Sequence, residues 1–268
     1  MCNVKSSEIA FFLGAELIGK DLSLSGVSTL GEPERNTVMF SKKKPTSLFT
    51  CNSLLILCPR GSLHETRLPL ENNSFLEVDN PRLAFAKILN KFFIKKIKPI
   101  IHMSAVISKT AKIHPTVTIG AHCIIENGVE IGEGTIVKHN VVISENVKIG
   151  KFCYIKSGAV IGEEGFGFDF EEDRTPIRIP HIGSVVVGDH VEIGSNTTVA
   201  RGTIGLTIIG DNTKLDDHVH IAHNCSLGKN IIVTACAELS GGVVLSGNNW
   251  VGPNCSIMQK ITIDSGAV

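Results

Sequence analysis

The sequence predicts a mainly β protein, a left-handed parallel β-helix of hexapeptide repeats with a small N-terminal α/β domain. Three observations carry this expectation. An aliphatic residue recurs every six positions from Ile101 through Ile161, again at Val187, Ile193 and Val199, and again from Ile209 through Ile263. Gly follows that residue repeatedly, as in Ile119-Gly120, Ile149-Gly150 and Ile193-Gly194. Before residue 98 the stride is absent, and helix-like and strand-like segments alternate instead.

A period of six is neither the 3.6 of a helix nor the 2 of a simple strand, so every sixth side chain must return to one environment. A triangular coil built of three hexads provides that environment, with the aliphatic column filling the prism. The column positions amount to about eight coils. Sandwich strands are the competing architecture, but they recur every 8–12 residues with alternation inside each run. Nothing here alternates for long. The Gly after each column residue is expected to relieve steric cost where the backbone turns tightly.

The N-terminal domain is expected over residues 1–98 and the β-helix over 99–268, with Pro99 at the boundary. Ser6 to Gly14 reads as a short capped helix ending at Gly14, and Asn80 to Phe93 as a longer amphipathic one with Pro81 in its first turn. Strands are expected at Leu22 to Val27, Thr37 to Phe40 and Leu54 to Leu57. Within the β-helix, residues 162–186 break the stride with Gly165-Phe166-Gly167-Phe168-Asp169-Phe170, an acidic run, Pro176 and Pro180. Three Phe residues are an unlikely choice for an idle loop, so a substrate-covering or subunit-contacting role is expected.

Composition narrows the function. Twenty-six basic and twenty-six acidic side chains cancel, which removes the simplest warrant for a nucleic-acid partner. The eight cysteines form no CxxC pair and no zinc-ligand spacing, and are read as reduced thiols in a cytoplasmic protein. No apolar run reaches the roughly 18 residues that span a bilayer, and Met1 to Lys5 lacks a signal-peptide core, so no transmembrane segment is expected.

The strongest polar constellation runs from Leu215 to Asn224 and holds His218, His220 and His223. Prism positions point the three imidazoles in different directions, which argues against one metal site. General-base catalysis by a single His fits better, because imidazole titrates near working pH and an amine attacking a thioester must shed a proton. His223 lies eighteen residues, one full coil, before Gly241. A residue without a side chain at Gly241 lets its N–H approach an oxyanion closely. Asp216 is a candidate for holding the imidazole in one tautomer.

Ile221-Ala222-His223-Asn224, the run from Ile193 to Val199, Arg201-Gly202 and Gly165 to Phe168, together with Gly26-Val27 and the Asn80-Pro81 helix, resemble the UDP-3-O-acylglucosamine N-acyltransferases of lipid A biosynthesis. The resemblance covers nearly the whole chain. It implies a cytoplasmic homotrimer with active sites between adjacent subunits and no bound cofactor or metal. The reaction it implies moves a hydroxyacyl chain from acyl carrier protein to the 2-amine of a UDP-linked glucosamine. It further implies His223 as base, Gly241 as oxyanion donor and Asp216 as support, with Asn224 and Phe166 as further site residues.

The chain departs from that family at several positions. A second family histidine falls at Lys260, whose ammonium donates but cannot act as a neutral imidazole. A uracil-clamping Phe-x-x-Asn-x-x-Tyr pattern reads Phe40, Lys43 and Thr46 here, and the Asp before Arg-Gly is Ala200. The chain ends at Val268, where the family continues with further coils and C-terminal helices that help dock carrier protein. The Lys42-Lys43-Lys44 run suits phosphates or an acidic carrier surface, or is a solvated loop. Two alternatives therefore stay open beside the lipid A reading. One is a CoA-dependent N-acyltransferase of another nucleotide-linked amino sugar; the other is a non-catalytic binding or assembly module.

Overall fold

Each hexad of the C-terminal half folds as a two-residue strand and a four-residue turn, as in Thr118–Ile119 followed by Ile124–Ile125. Strands pair in parallel with the strand one coil on, so Thr118 faces Ile136 and Ile119 faces Val137. Three parallel sheets of seven, eight and eight strands form the walls of the prism. The computed structural model describes residues 3–44, 51–63, 72–95 and 97–268. It divides into two compact units, Met1–Lys96 and Ile97–Val268.

The aliphatic column is the core of the second unit. Ile119, Ile143, Ile155, Ile193, Ile221 and Leu239 are all fully buried in one continuous apolar cluster. Cover thins at the first and last coils, where Ile101 is 50 % exposed and Ile107, Ile113, Ile257 and Ile263 are partly buried. A second inward column lies two residues before the first and takes small side chains. Val117, Cys123, Thr135, Cys153, Ala159 and Cys225 stand there, all buried. The thiols of Cys123, Cys153 and Cys225 are free, and burial pushes their pKa upward. Their place is decided by size.

The turns differ from expectation. The residue in left-handed conformation lies three before most column residues, and Asn fills that position at Asn140, Asn146, Asn196, Asn212, Asn224 and Asn230. Asn reaches this region more readily than most residues because its short polar side chain bonds locally. Of the Gly residues that follow the column, Gly120 and Gly132 have no positive φ. They are needed for a different reason. A Cβ on Gly120 would stand 2.7 Å from the Lys138 carbonyl of the next coil, so close stacking of the coils excludes a side chain.

Two insertions interrupt the stacking. Ile155 pairs with Ile193, and Ile193 with Leu215, in place of the usual eighteen-residue step. The longer insertion leaves after Ile161 and returns at Ser184, carrying an antiparallel hairpin of Phe168–Phe170 and Pro176–Arg178. The shorter one lies between Val199 and Leu206.

The first unit holds a five-stranded sheet in which Gly26–Val27, Thr37–Phe40, Leu54–Pro59 and Ser74–Val78 run parallel and Leu17–Ile18 joins antiparallel. Leu54–Pro59 is apolar throughout because both its faces are covered: Leu55 and Leu57 belong to one cluster, Leu54, Ile56 and Cys58 to another. Helix Ser6–Leu13 closes on Gly14 at φ 61°. The expected second helix is α-helical over Pro81–Ile88 and ends in a π-helical turn, Leu89–Phe93. Asn80 caps it by accepting the Leu83 N–H at 3.0 Å. No helix among the described residues is long and apolar enough to cross a membrane.

Candidate active site

His223 stands at the corner that follows strand His220–Ile221, half-buried, directly above Gly241 of the next coil. A Cβ on Gly241 would lie 2.7 Å from His223 Cε1 and 2.8 Å from Nε2. Gly241 therefore lacks a side chain because the imidazole occupies its place. The network also fixes the tautomer. Asn224 Oδ1 accepts the Thr203 N–H at 3.0 Å, which assigns that atom as oxygen, and it lies 3.1 Å from His223 Nδ1. Nδ1 must then carry the hydrogen, with Thr203 Oγ1 more distant at 3.4 Å. Nε2 is left with its lone pair, on the Gly241 side.

The Gly241 N–H has no hydrogen-bond partner among the described residues. At equivalent corners an Asp one coil on fills that role: Asp189 accepts from the Lys151 N–H and Asp217 from the Ser195 N–H, both at 2.7 Å. The residue one coil beyond Gly241 is Gln259, which makes no such bond. A free lone pair and a free N–H thus sit side by side on one edge of the prism. That pairing can take a proton and stabilise an oxyanion.

The insertions complete the surroundings. Arg201, at the start of the shorter one, is buried; its Nε donates to the Gly162 carbonyl and its Nη1 reaches Glu145 at 3.2 Å. It thereby ties the root of the longer insertion to the coil stack. Thr203 of the same insertion delivers the N–H that orients Asn224. From the longer insertion His181 comes in beside His223, with ring centroids 5.0 Å apart and planes at 70°. His181 was not singled out by sequence reasoning. It lies off the six-residue stride, and the only local cue is the Ile179-Pro180-His181 re-entry into the coils. Burial holds its pKa below that of a free imidazole; the bond from Nδ1 to the Ile179 carbonyl opposes this, and the nearby His223 adds to it.

Asp216 is not brought to His223. It sits at the corner after Leu215, on another edge of the prism from the corner after Ile221, and is exposed. Its Oδ1 accepts the Asp217 N–H at 2.8 Å, and Asn224 holds the imidazole instead. His218 occupies a left-handed corner at φ 59° and His220 pairs with Thr198 Oγ1 at 2.7 Å. Among the described residues no group of three or more His, Cys, Asp or Glu has metal-binding geometry. Phe166 projects into solvent, 86 % exposed, with its ring 4.8 Å from that of Phe168. Lys260 lies on the edge that carries His223 and Gly241, its N–H bonded to the Gly241 carbonyl at 2.9 Å and its side chain exposed.

In the N-terminal unit, Phe40 and Lys43 line a cavity of about 710 Å³ with Val27, Leu30 and Phe85. The Phe40 and Phe85 rings pack 5.0 Å apart at 39°. The Lys43 backbone is fixed by Ser41, whose hydroxyl donates to the Lys43 carbonyl at 2.6 Å. The cavity is apolar with cations at its rim. Thr46 lies outside the described residues.

Comparison with known proteins gives the family of the chain. The bacterial transferase hexapeptide model, built of six repeats, matches residues 128–163 and 206–241, which flank the two insertions. Among solved structures, LpxA from Acinetobacter baumannii and the UDP-N-acetylglucosamine O-acyltransferase of Moraxella catarrhalis RH4 are each 30 % identical with a TM-score of 0.56. Each alignment covers 61 % of this chain and 62 % of the solved one, so the chain spans less than two thirds of their length. The UDP-3-O-acylglucosamine N-acyltransferase of Coxiella burnetii (strain Dugway 5J108-111) is 29 % identical over 255 residues, 88 % of this chain and 74 % of the relative. That of Pseudomonas syringae pv. tomato is 34 % identical over 260 residues, 88 % of this chain and 72 % of the relative. At that identity and coverage, the chain belongs to the UDP-3-O-acylglucosamine N-acyltransferase family.

Proposed function

We propose that the protein transfers a 3-hydroxyacyl group from an acyl thioester, carried by acyl carrier protein, to the amine of a UDP-linked 3-O-acylglucosamine in lipid A biosynthesis. The observation that carries the reading is the bare Nε2 of His223 beside the free N–H of Gly241. The amine nitrogen attacks the thioester carbonyl carbon, forming the C–N bond, while His223 Nε2 takes one amine proton. The oxyanion of the tetrahedral intermediate accepts the Gly241 N–H. As the C–S bond breaks, the proton on His223 passes to the departing thiolate, leaving an amide and a free thiol. The balance moves a proton and no net electrons, so no redox cofactor enters it.

In this reading the cavity at Phe40, Phe85 and Lys43 takes the nucleotide, as the task of the domain over residues 1–98, and the β-helix over 99–268 carries the chemistry. Lys260 meets a phosphate or carbonyl of the substrates, and Phe166 covers a substrate in a neighbouring subunit of a cytoplasmic homotrimer. Mass spectrometry of products from UDP-3-O-acylglucosamine, with hydroxyacyl carrier protein or acyl-CoA as donor, tests the proposal. It predicts an amide from the carrier-protein donor. No amide from either donor would contradict it. Lys43, a pure hydrogen-bond donor at the cavity rim, favours as second reading a CoA-dependent enzyme for another nucleotide-linked amino sugar. Product from acyl-CoA and a different sugar nucleotide alone would select that reading.

A further inference from the structure

His181 is 2 % exposed, and its Nε2 is buried with no hydrogen-bond partner among the described residues. Its Nδ1 stands 3.0 Å from the Ile179 carbonyl, which can only accept, so Nδ1 carries the hydrogen and Nε2 is a bare acceptor. Leaving such an acceptor unmet is unfavourable, and a native structure that tolerates it needs a reason. The segment above it suggests one. A Cβ on Gly165 would stand 2.9 Å from His181 Nε2 and 3.1 Å from His223 Cδ2, and a Cβ on Gly167 3.0 Å from His181 Cε1. The cover is glycine because two imidazoles lie directly beneath it. It is held only at one end: Gly165 and Phe166 make no backbone hydrogen bonds among the described residues, and the Gly167 carbonyl accepts the Ile179 N–H at 2.9 Å. Segments with few hydrogen bonds open at low cost.

We propose that His181 Nε2 is a substrate-contacting acceptor of the acyl-transfer site, taking a hydrogen bond from an O–H or N–H group of a bound substrate that displaces the Gly165–Gly167 cover. One point, where a Gly165 Cβ would lie, is at hydrogen-bond distance from His181 Nε2 and at contact distance from the ring of the base. A hydroxyl of the acyl chain or an N–H of the attacking amine placed there is held against His223. The inference rests on the acyl-transfer reading above and adds a residue to it.

The test uses the full chain, His181→Leu, which removes the acceptor, and His181→Gln, whose amide keeps both a donor for Ile179 and an acceptor. Two acyl donors of equal length are compared, one with a hydroxyl on the carbon β to the thioester and one without. The proposal predicts a loss in kcat/KM on the order of tenfold in His181→Leu, about what one hydrogen bond supplies, with most of it restored in His181→Gln. Loss confined to the hydroxylated donor assigns the O–H source, and equal loss with both assigns the amine. Unchanged kcat/KM in His181→Leu overturns the proposal, as does equal loss in both variants, the pattern of packing alone. Nitrogen NMR of His181 in the unaltered protein is independent of whether either variant folds. The Nε2 resonance is expected to move on saturation with the bound substrates, and an unmoved resonance overturns the proposal. Absence of acyl transfer in the unaltered protein would instead contradict the function, with the resonance still deciding the role of His181.

Discussion

Replacing Gly241 by Ala separates the site from the fold more sharply than removing any polar group. Gly241 has no positive φ, so alanine adopts its backbone without strain. The added methyl would meet His223 Cε1 at 2.7 Å and Nε2 at 2.8 Å. Carbon contacts settle near 3.5 Å, so the imidazole must retreat by roughly 0.8 Å. The ring is half-buried and can swing outward, which keeps the stability loss near the lower end of overpacking, about 1 kcal/mol. Turnover should suffer far more, since a displacement of about 1 Å at a reacting group costs on the order of a hundredfold. The neighbouring Gly242→Ala is the comparison. Gly242 is left-handed at φ 72°, and the atoms nearest its Cβ would all belong to Lys260, with Cγ closest at 3.5 Å. That variant loses about 1–2 kcal/mol to backbone strain while His223 stays in place. Steady-state kcat and thermal unfolding of both proteins give the comparison. Near-wild-type kcat in Gly241→Ala, or an equal fall in both variants, would refute the argument.

Asn224→Ala removes the acceptor at His223 Nδ1 and frees the Thr203 N–H, so kcat should fall by roughly ten- to a hundredfold, with little change in KM; an unchanged kcat would show that the tautomer is held otherwise. Asp217 is held below the usual carboxylate pKa, first by the Ser195 N–H and also by Lys156. Its contribution to stability is therefore present above the unfolded value of about 3.9 and is lost as pH falls through the lower folded one. Urea unfolding of Asp217→Asn against the parent should differ at neutral pH and converge in acid, and a gap that persists in acid would contradict the assignment. Alkylation of the native protein should label the exposed Cys236 and Cys255 well before Cys58, Cys123, Cys153 and Cys225. Cys58 is the most resistant, burial having pushed its thiol up to about 11; rapid labelling of Cys58 would contradict the packing.

The column from Ile101 to Ile263 made the β-helix legible because each coil repeats one packing environment. The same stride placed His223 and Gly241 on one edge, since eighteen residues return the chain to the same corner. It did not reveal why Gly recurs after the column, because the contact with the next coil's carbonyl is not a local property of the chain. Asp216 looked near His223 in sequence, yet seven residues carry the chain past a corner to another edge. His181 and Thr203 were hidden for the opposite reason: insertions have no stride, and only the folded path brings them to the imidazole. In the N-terminal unit, strand Ser74–Val78 escaped notice because both its faces are buried and it does not alternate.

The central claim is that His223 takes the amine proton. The direct measurement is the rate of amide formation from hydroxyacyl carrier protein and UDP-3-O-acylglucosamine by His223→Ala, beside thermal unfolding and oligomeric state of the same sample. The account predicts a loss of at least about a thousandfold, in the range of removing a general base, in a protein that melts and assembles like the parent. Near-parental turnover in that variant would contradict it.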